Sequence, residues 1–398
     1  MAKLKVGLIL GSGFENAEFL NDFKESEIET PFGKPSSPVL TKKIKGIEVS
    51  VIFRHGKKHE IPPTFVNNKA NIFALKYEGC KYILSTTDAN SLKEEIKIGD
   101  FVILDDLIDL TKNRALTFFD KFEFGAMHTY MNNPFSKLLR KKIIEVCREF
   151  GFRLHKTGTA ITTEGSRYST RAESKLFKQF ADISTMTIAP ECILANEAEV
   201  HYATIAVIGD YDAWKENYDL PVEEIKQIRK NSIDKIEKIL FKIIDSFSRE
   251  EELKRLKEKI RIIYDFPEPG ETLYDISPLL FDKDSLKKLT EILCERYKDK
   301  KIDVIASTET KSFAVAGILA EKLNTGLMMI DKNIRKNLIP QNQKILLIDE
   351  MFSEESRKIC TEIRSSHNEI IELCSLLEDK KPEDPPVYTF GLIKFEGE

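Results

Sequence analysis

The sequence predicts an α/β protein of two domains, and three observations carry that expectation. Short β-branched runs alternate with stretches of helical period, each apolar run empties into a small or polar segment, and 398 residues exceed what one hydrophobic core usually serves. Residues 5–10, 48–53, 82–86 and 202–208 read as strands. The segments after them, Gly11-Ser12-Gly13, Arg54-His55-Gly56, Asp88-Ala89-Asn90 and Gly209-Asp210-Tyr211-Asp212, are expected to be loops at strand C-termini, where open α/β sheets bind ligands. Over 221–247, Ile225, Ile228, Ile233, Ile236, Ile239, Leu240, Ile243, Ile244 and Phe247 recur at three- and four-residue steps, predicting a long amphipathic helix that closes a first domain at 1–247. The charged stretch 248–259 reads as a helical linker and 260–398 as a second domain. There, a helix over 284–297 and strands over 303–307, 326–330, 344–349 and 370–376 predict a mostly parallel sheet.

Composition narrows the function classes. With 61 basic against 65 acidic side chains the formal charge is −4, which argues against nucleic-acid partners, since these need a basic excess or stripe. The six cysteines (80, 147, 192, 294, 360 and 374) are spread without a Cys-x-x-Cys pair and mostly adjoin apolar residues, so buried thiols in a reducing, cytoplasmic setting are expected. No run of 18 apolar residues predicts a membrane span, and neither a metal nor a cofactor is expected.

Five blocks in the first domain carry a family likeness: Thr30-Pro31-Phe32-Gly33-Lys34-Pro35-Ser36, Arg54-His55-Gly56, Asn67-Asn68-Lys69-Ala70-Asn71-Ile72, the run from Thr163 to Ser174, and Asp210-Tyr211-Asp212-Ala213-Trp214-Lys215. With them, residues 3–245 resemble methylthioadenosine phosphorylases of the trimeric purine nucleoside phosphorylase family. The resemblance implies a mixed sheet flanked by helices, a homo-oligomer that is a trimer, and phosphate as co-substrate. It places Ser12, Arg54, His55, Thr87, Asp88 and Thr187 at the phosphate. Arg54 suits that anion through its planar fork of donors, while the bland reading of Arg54-His55 is a polar strand end capping a loop.

The same likeness puts Asp210 at N7 of the leaving purine, as the catalytic carboxyl whose pKa an apolar site would raise. It puts Asp212 at the 6-position, where an ionised carboxylate accepts from an amino group and so prefers adenine. Asp210-Tyr211-Asp212 would otherwise be a helix cap before Ala213. Met186 and Tyr168 are expected at the sugar, with Val222 and Ile225 around the 5′-substituent, although all four could equally be core. The departures from the family pattern are Ser12 for a threonine, Ser184-Thr185 for Ile-Asn, Ser166 for a proline, and Asp88-Ala89-Asn90 where the family has a small residue and then glycine. A carboxylate 4 Å from a bound anion costs about 4 kcal/mol at intermediate dielectric.

In the second domain, the turn Asp265-Phe266-Pro267-Glu268-Pro269-Gly270 and the run from Tyr274 to Leu280 are similar to adenine phosphoribosyltransferases. The acidic pair Asp349-Glu350 follows an apolar strand as in that family. Yet Met351-Phe352-Ser353-Glu354-Glu355 lacks the glycines and threonines of a phosphate cradle, Thr308-Glu309-Thr310-Lys311-Ser312 replaces a second motif, and the short connection before Lys344 leaves no room for a flap. An inactive second domain is expected. The function implied is phosphorolysis of 5′-methylthioadenosine or adenosine to adenine and a ribose 1-phosphate derivative. The alternatives are a pseudoenzyme that binds nucleosides or nucleotides as sensor or scaffold, and a hydrolase using water in place of phosphate.

Overall fold

A computed structural model describes residues 4–15, 17–121, 125–216, 221–330, 340–379, 385 and 387–395, with backbone alone for Val222, Ile225 and Lys226. The expectations for the side chains of Val222 and Ile225, and for the connection before Lys344, lie outside the described residues. Two compact units divide the chain, Met1–Ser248 and Arg249–Glu398.

The first unit is built on a mixed sheet of eleven strands: β1 (Lys5–Leu10), β2 (Lys24–Ser26), β3 (Val39–Ile44), β4 (Ile47–Phe53), β5 (Tyr82–Ser91), β6 (Phe101–Ile103), β7 (Asp106–Asp109), β8 (Leu154–His155), β9 (Thr159–Thr162), β10 (Ile183–Thr185) and β11 (His201–Tyr211). Its helices are α1 (Asn68–Tyr77), α2 (Lys137–Glu149), α3 (Arg171–Phe177), α4 (Ile188–Glu197) and α5 (Val222–Lys259). At its centre β1 lies parallel between β4 and β5, and β5 also pairs in parallel with β11. The apolar side chains of each central strand alternate between two cores, as the two-residue period of a strand requires. Leu8, Val51, Leu84 and Ile205 face α2 and α5, while Ile9, Ile52, Ile83 and Ala206 face α1 and α4.

Three expectations about element ends are corrected. Asp88-Ala89-Asn90 is not a loop but the continuation of β5, because its backbone pairs with β11 on one side and β10 on the other. Likewise Gly209, Asp210 and Tyr211 belong to β11, past a register shift between Ile208 and Asp210. A ladder of backbone hydrogen bonds is indifferent to side-chain polarity, so the sheet runs on where composition reads as loop. Residues 248–259 are helical as expected, but they continue α5, which runs unbroken for 38 residues in all, instead of following its end at 247. Its stripe of Ile236, Ile239, Leu240, Ile243, Ile244 and Phe247 is buried against the sheet. No described helix begins at Ala213, where a turn follows Asp212.

The second unit opens with a hairpin, β12 (Arg261–Tyr264) and β13 (Thr272–Asp275), followed by α6 (Ser277–Phe281) and α7 (Lys283–Tyr297). Next come β14 (Val304–Ser307), α8 (Thr310–Leu323), β15 (Gly326–Met329), β16 (Lys344–Met351), α9 (Glu354–Ser365), β17 (Glu369–Glu378) and β18 (Thr389–Lys394). The five last strands form an all-parallel sheet in the order β15-β14-β16-β17-β18. Chain direction across the sheet therefore reverses between β14 and β16. All six cysteines are free thiols, five of them buried. No described helix is long and apolar enough to cross a membrane.

Ile239 has no solvent exposure in the face of α5 that covers the sheet. Ile239→Ala is expected to destabilise the first unit by about 2–5 kcal/mol. A urea melt followed by Trp214 fluorescence, from the single tryptophan of the chain, reads this directly, and an unchanged midpoint contradicts the packing described.

Candidate active site

The C-terminal ends of β1, β4, β5 and β11 converge with the N-terminus of α4 on a cavity of about 560 Å³. Ser12, Arg54, His55, Thr87, Asp88, Tyr168, Met186, Thr187, Asp210 and Asp212 all line it. Asn90, from the expected strand-end segment, lines it as well, and so do His59, Glu60 and Arg229, which the sequence motifs did not nominate.

Beneath the cavity lies a buried ion pair. The Arg54 guanidinium donates from Nε and Nη2 to the two carboxylate oxygens of Glu191, from Nη2 also to Ser85 Oγ at 2.6 Å, and from Nη1 to the Thr86 carbonyl at 2.8 Å. Tyr202 and Ser85 donate to Glu191 as well, at 2.7 and 3.0 Å. Burial works against the Arg54 charge, yet Glu191 outweighs it and raises the pKa further. Gly11 permits this approach, since a Cβ there would stand 2.9 Å from Arg54 Nη1. Glu191 had a signal in the sequence: it is the one charge in the apolar first two turns of α4, which implies a buried cationic partner.

His55 departs from the expected cationic donor. Burial first, and the adjacent Arg54 next, push its pKa down to about 4. A neutral ring that donates Nδ1–H to the Ile61 carbonyl at 2.8 Å presents an unprotonated Nε2. Such a nitrogen accepts a hydrogen bond from a P–OH but adds no positive charge. Thr187 stands at the N-cap of α4 without its side chain capping the helix, and its hydroxyl lies 3.3 Å from that of Thr87. The helix N-terminus thus adds partial positive charge at the same wall.

The two base-site carboxylates differ in setting. Asp212 is only 3% exposed. Its oxygens accept from Ser184 Oγ, Ser169 Oγ at 3.3 Å and the Ala213 N–H at 2.6 Å. Ser184, one of the departures from the family pattern, therefore orients Asp212. Asp210, just past the register shift, is exposed rather than set in an apolar site, and it accepts from the Tyr211 N–H at 2.7 Å. Tyr168 is 69% exposed, which removes it from the core. Met186 is half-buried, and its carbonyl accepts from Arg114 at 3.2 Å while the same guanidinium holds Glu164 at 2.9 Å. That clasp fixes the segment bearing Ser166 and Tyr168.

Asp88 does face the cavity, but not alone. Arg229 of α5 approaches its Oδ2 to 3.8 Å. Withdrawal from water pushes the Asp88 carboxyl above its ordinary range, against the pull of Arg229 and Arg54. Arg229 also had a sequence signal, because it takes a place between Ile225 and Ile233 on the apolar stripe of α5.

Strand ends that bring a guanidinium, hydroxyls and a buried, hydrogen-bonded carboxylate to one cavity make a site suited to an anion and a hydrogen-bonding partner for it. A family model described as the phosphorylase superfamily matches residues 5–245, and the chain belongs to that superfamily. Among its relatives, the S-methyl-5′-thioadenosine phosphorylase of Thermofilum pendens is 44% identical over 253 residues, spanning 63% of this chain and 95% of that protein. The enzyme of the same name from Danio rerio is 42% identical over 246 residues, 61% of this chain and 88% of that one. A methylthioadenosine phosphorylase from Schistosoma mansoni, solved in complex with tubercidin, superposes with a TM-score of 0.58 at 35% identity, covering 62% of this chain and 92% of its own.

Two outcomes are expected. Glu191→Gln leaves a buried guanidinium without its counter-charge and should lower stability by about 3–5 kcal/mol in a denaturant melt. In an NMR titration the His55 ring should stay neutral from pH 8 to pH 5, and a midpoint near 6.5 would contradict the burial described. Because the folded pKa lies below the unfolded one, the neutral ring's contribution to stability is complete above about pH 6.5 and is lost as pH falls toward 4.

Proposed function

We propose that the first unit catalyses phosphorolysis of 5′-methylthioadenosine, and of adenosine as a related substrate, giving adenine and a ribose 1-phosphate derivative. The observation that carries this reading is Asp212, buried and held by three donors in the wall of the same cavity that Ser12, Arg54 and Thr187 line. In the reaction a phosphate oxygen bonds to C1′ as the bond from C1′ to N9 breaks. Electrons flow onto the purine, and Asp210 supplies a hydrogen bond or proton at N7. Asp212 accepts from the 6-amino group, favouring adenine over a 6-oxopurine. Ser12, Thr187 and the remaining N–H of Arg54 hold the phosphate, with Thr87 behind them, and His55 Nε2 accepts from its P–OH. Met186 and Tyr168 flank the ribose. Phosphate enters as co-substrate and no organic cofactor takes part.

The second unit is read as a phosphoribosyltransferase-type domain that no longer transfers. Its acidic pair lies at the C-terminal end of β16, beside the point where chain direction reverses, but both carboxylates have partners. Asp349 accepts from Ser356 Oγ, and Glu350 pairs with Lys311 at 3.4 Å. Burial, together with Asp349 and Glu350, pushes Glu309 up to about 7, so acidic groups crowd this crevice. At the start of α9, Ser353 and Ser356 form a reciprocal cap, with Glu354 and Glu355 in the first turn. Donors that a phosphate would need are thus satisfied within the chain. The resemblance also favours a trimer, and exposed Phe65 and Tyr130 are side chains that an assembly would cover.

Incubation with methylthioadenosine, with and without phosphate, tests the main reading. Adenine release that requires phosphate supports it, phosphate-independent release points to hydrolysis, and tight binding without turnover points to a pseudoenzyme. Asp210→Asn should lower kcat roughly 100- to 10,000-fold. Asp212→Asn should erode the preference for adenosine over inosine, as compared by kcat/KM.

A further inference from the structure

The strongest unused feature of the site is the guanidinium that α5 brings to it. Arg54 is the cation expected to meet the attacking anion, but four of the five N–H bonds of a guanidinium are already directed to Glu191, Ser85 and Thr86. Its charge is balanced by Glu191, and His55 is neutral. Glu60, Asp88, Asp210 and Asp212 also line the cavity. A phosphate dianion entering this wall needs a further cation.

Arg229 has the placement and the spare donors. It lines the main cavity and a second one of about 70 Å³. Gly11, Ser12, Gly13, Thr86, Thr87 and Asp88 wall that smaller space. Phe14, Val207, Ile233 and Ile236 line it too, so its polar groups are those of the strand-end segments together with Arg229 and Ser232. At 3.8 Å, the approach of Arg229 Nε to Asp88 Oδ2 is an ion pair too long to be a hydrogen bond. The guanidinium side chain is 55% exposed, so it can turn without unpacking α5.

We propose that Arg229 binds the phosphate co-substrate directly, with Asp88 holding its guanidinium at the mouth of the anion site until phosphate arrives. The pair acts as one device: Asp88 repels the anion, Arg229 attracts it, and the planar fork of donors suits an oxyanion better than an ammonium does. This assignment rests on the phosphorolysis reading above.

A double-mutant cycle on the full chain tests it, with KM for phosphate and calorimetric binding of inorganic phosphate alone as readouts. Arg229→Gln should raise KM for phosphate roughly 10- to 100-fold, the loss expected of one charge-assisted hydrogen bond, while KM for the nucleoside moves less than about twofold. Arg229→Lys should recover part of the loss. Asp88→Ala should lower KM for phosphate. The decisive comparison is Arg229→Gln in the Asp88→Ala background: a rise of similar size means direct contact. No rise there means that Arg229 only neutralises Asp88, which overturns the proposal. If no nucleoside is phosphorolysed yet calorimetric phosphate binding still weakens in Arg229→Gln, the reaction assignment fails while the binding assignment stands.

Discussion

The first unit depends on the buried pair of Arg54 and Glu191. One partner follows β4 and the other lies in α4, so the bond ties two elements 137 positions apart and sets the floor of the cavity. Ser85 and Tyr202 complete the cage from β5 and β11. A guanidinium without solvent is tolerated only where its donors and charge are met. Meeting them uses most of its capacity, and the burden of binding an incoming anion passes to hydroxyls, to the N-terminus of α4 and to charge supplied from elsewhere.

Around that floor the sheet divides the chemistry by position. Parallel neighbours β1, β4, β5 and β11 end together, so short segments far apart in sequence share one wall. Extra length in β5 and β11 then carries Asp88 and Asp210 on strands instead of loops. Strand placement gives these carboxylates less freedom than a loop would; Asp210, just past the register shift, is exposed, while Asp212 is enclosed.

The second unit keeps an open parallel sheet with acidic groups at its reversal point. Its polar groups satisfy one another: Ser353 with Ser356, Ser356 with Asp349, Lys311 with Asp275 and Glu350. A ligand there would have to displace these bonds. The family match, at 5–245, ends before this unit begins.

Much of this was legible in the sequence. Hydrophobic period located four strands of each large sheet, β1, β4, β5 and β11 and then β14 to β17, and the stripe of α5, because burial on one face leaves a periodic trace. Family motifs nominated ten of the residues that line the cavity, from Ser12 to Asp212, but not His59, Glu60 or Arg229. Tertiary structure alone decided the rest. Whether Asp88-Ala89-Asn90 is strand or loop depends on which neighbours pair with its backbone, and composition is silent on that. The neutrality of His55 follows from burial beside Arg54, and the enclosure of Asp212 from serines 28 and 43 positions away. Asp88 read from the sequence as an unopposed charge beside a phosphate; its partner Arg229 comes from a helix more than a hundred residues later, and only the folded chain brings the two within reach.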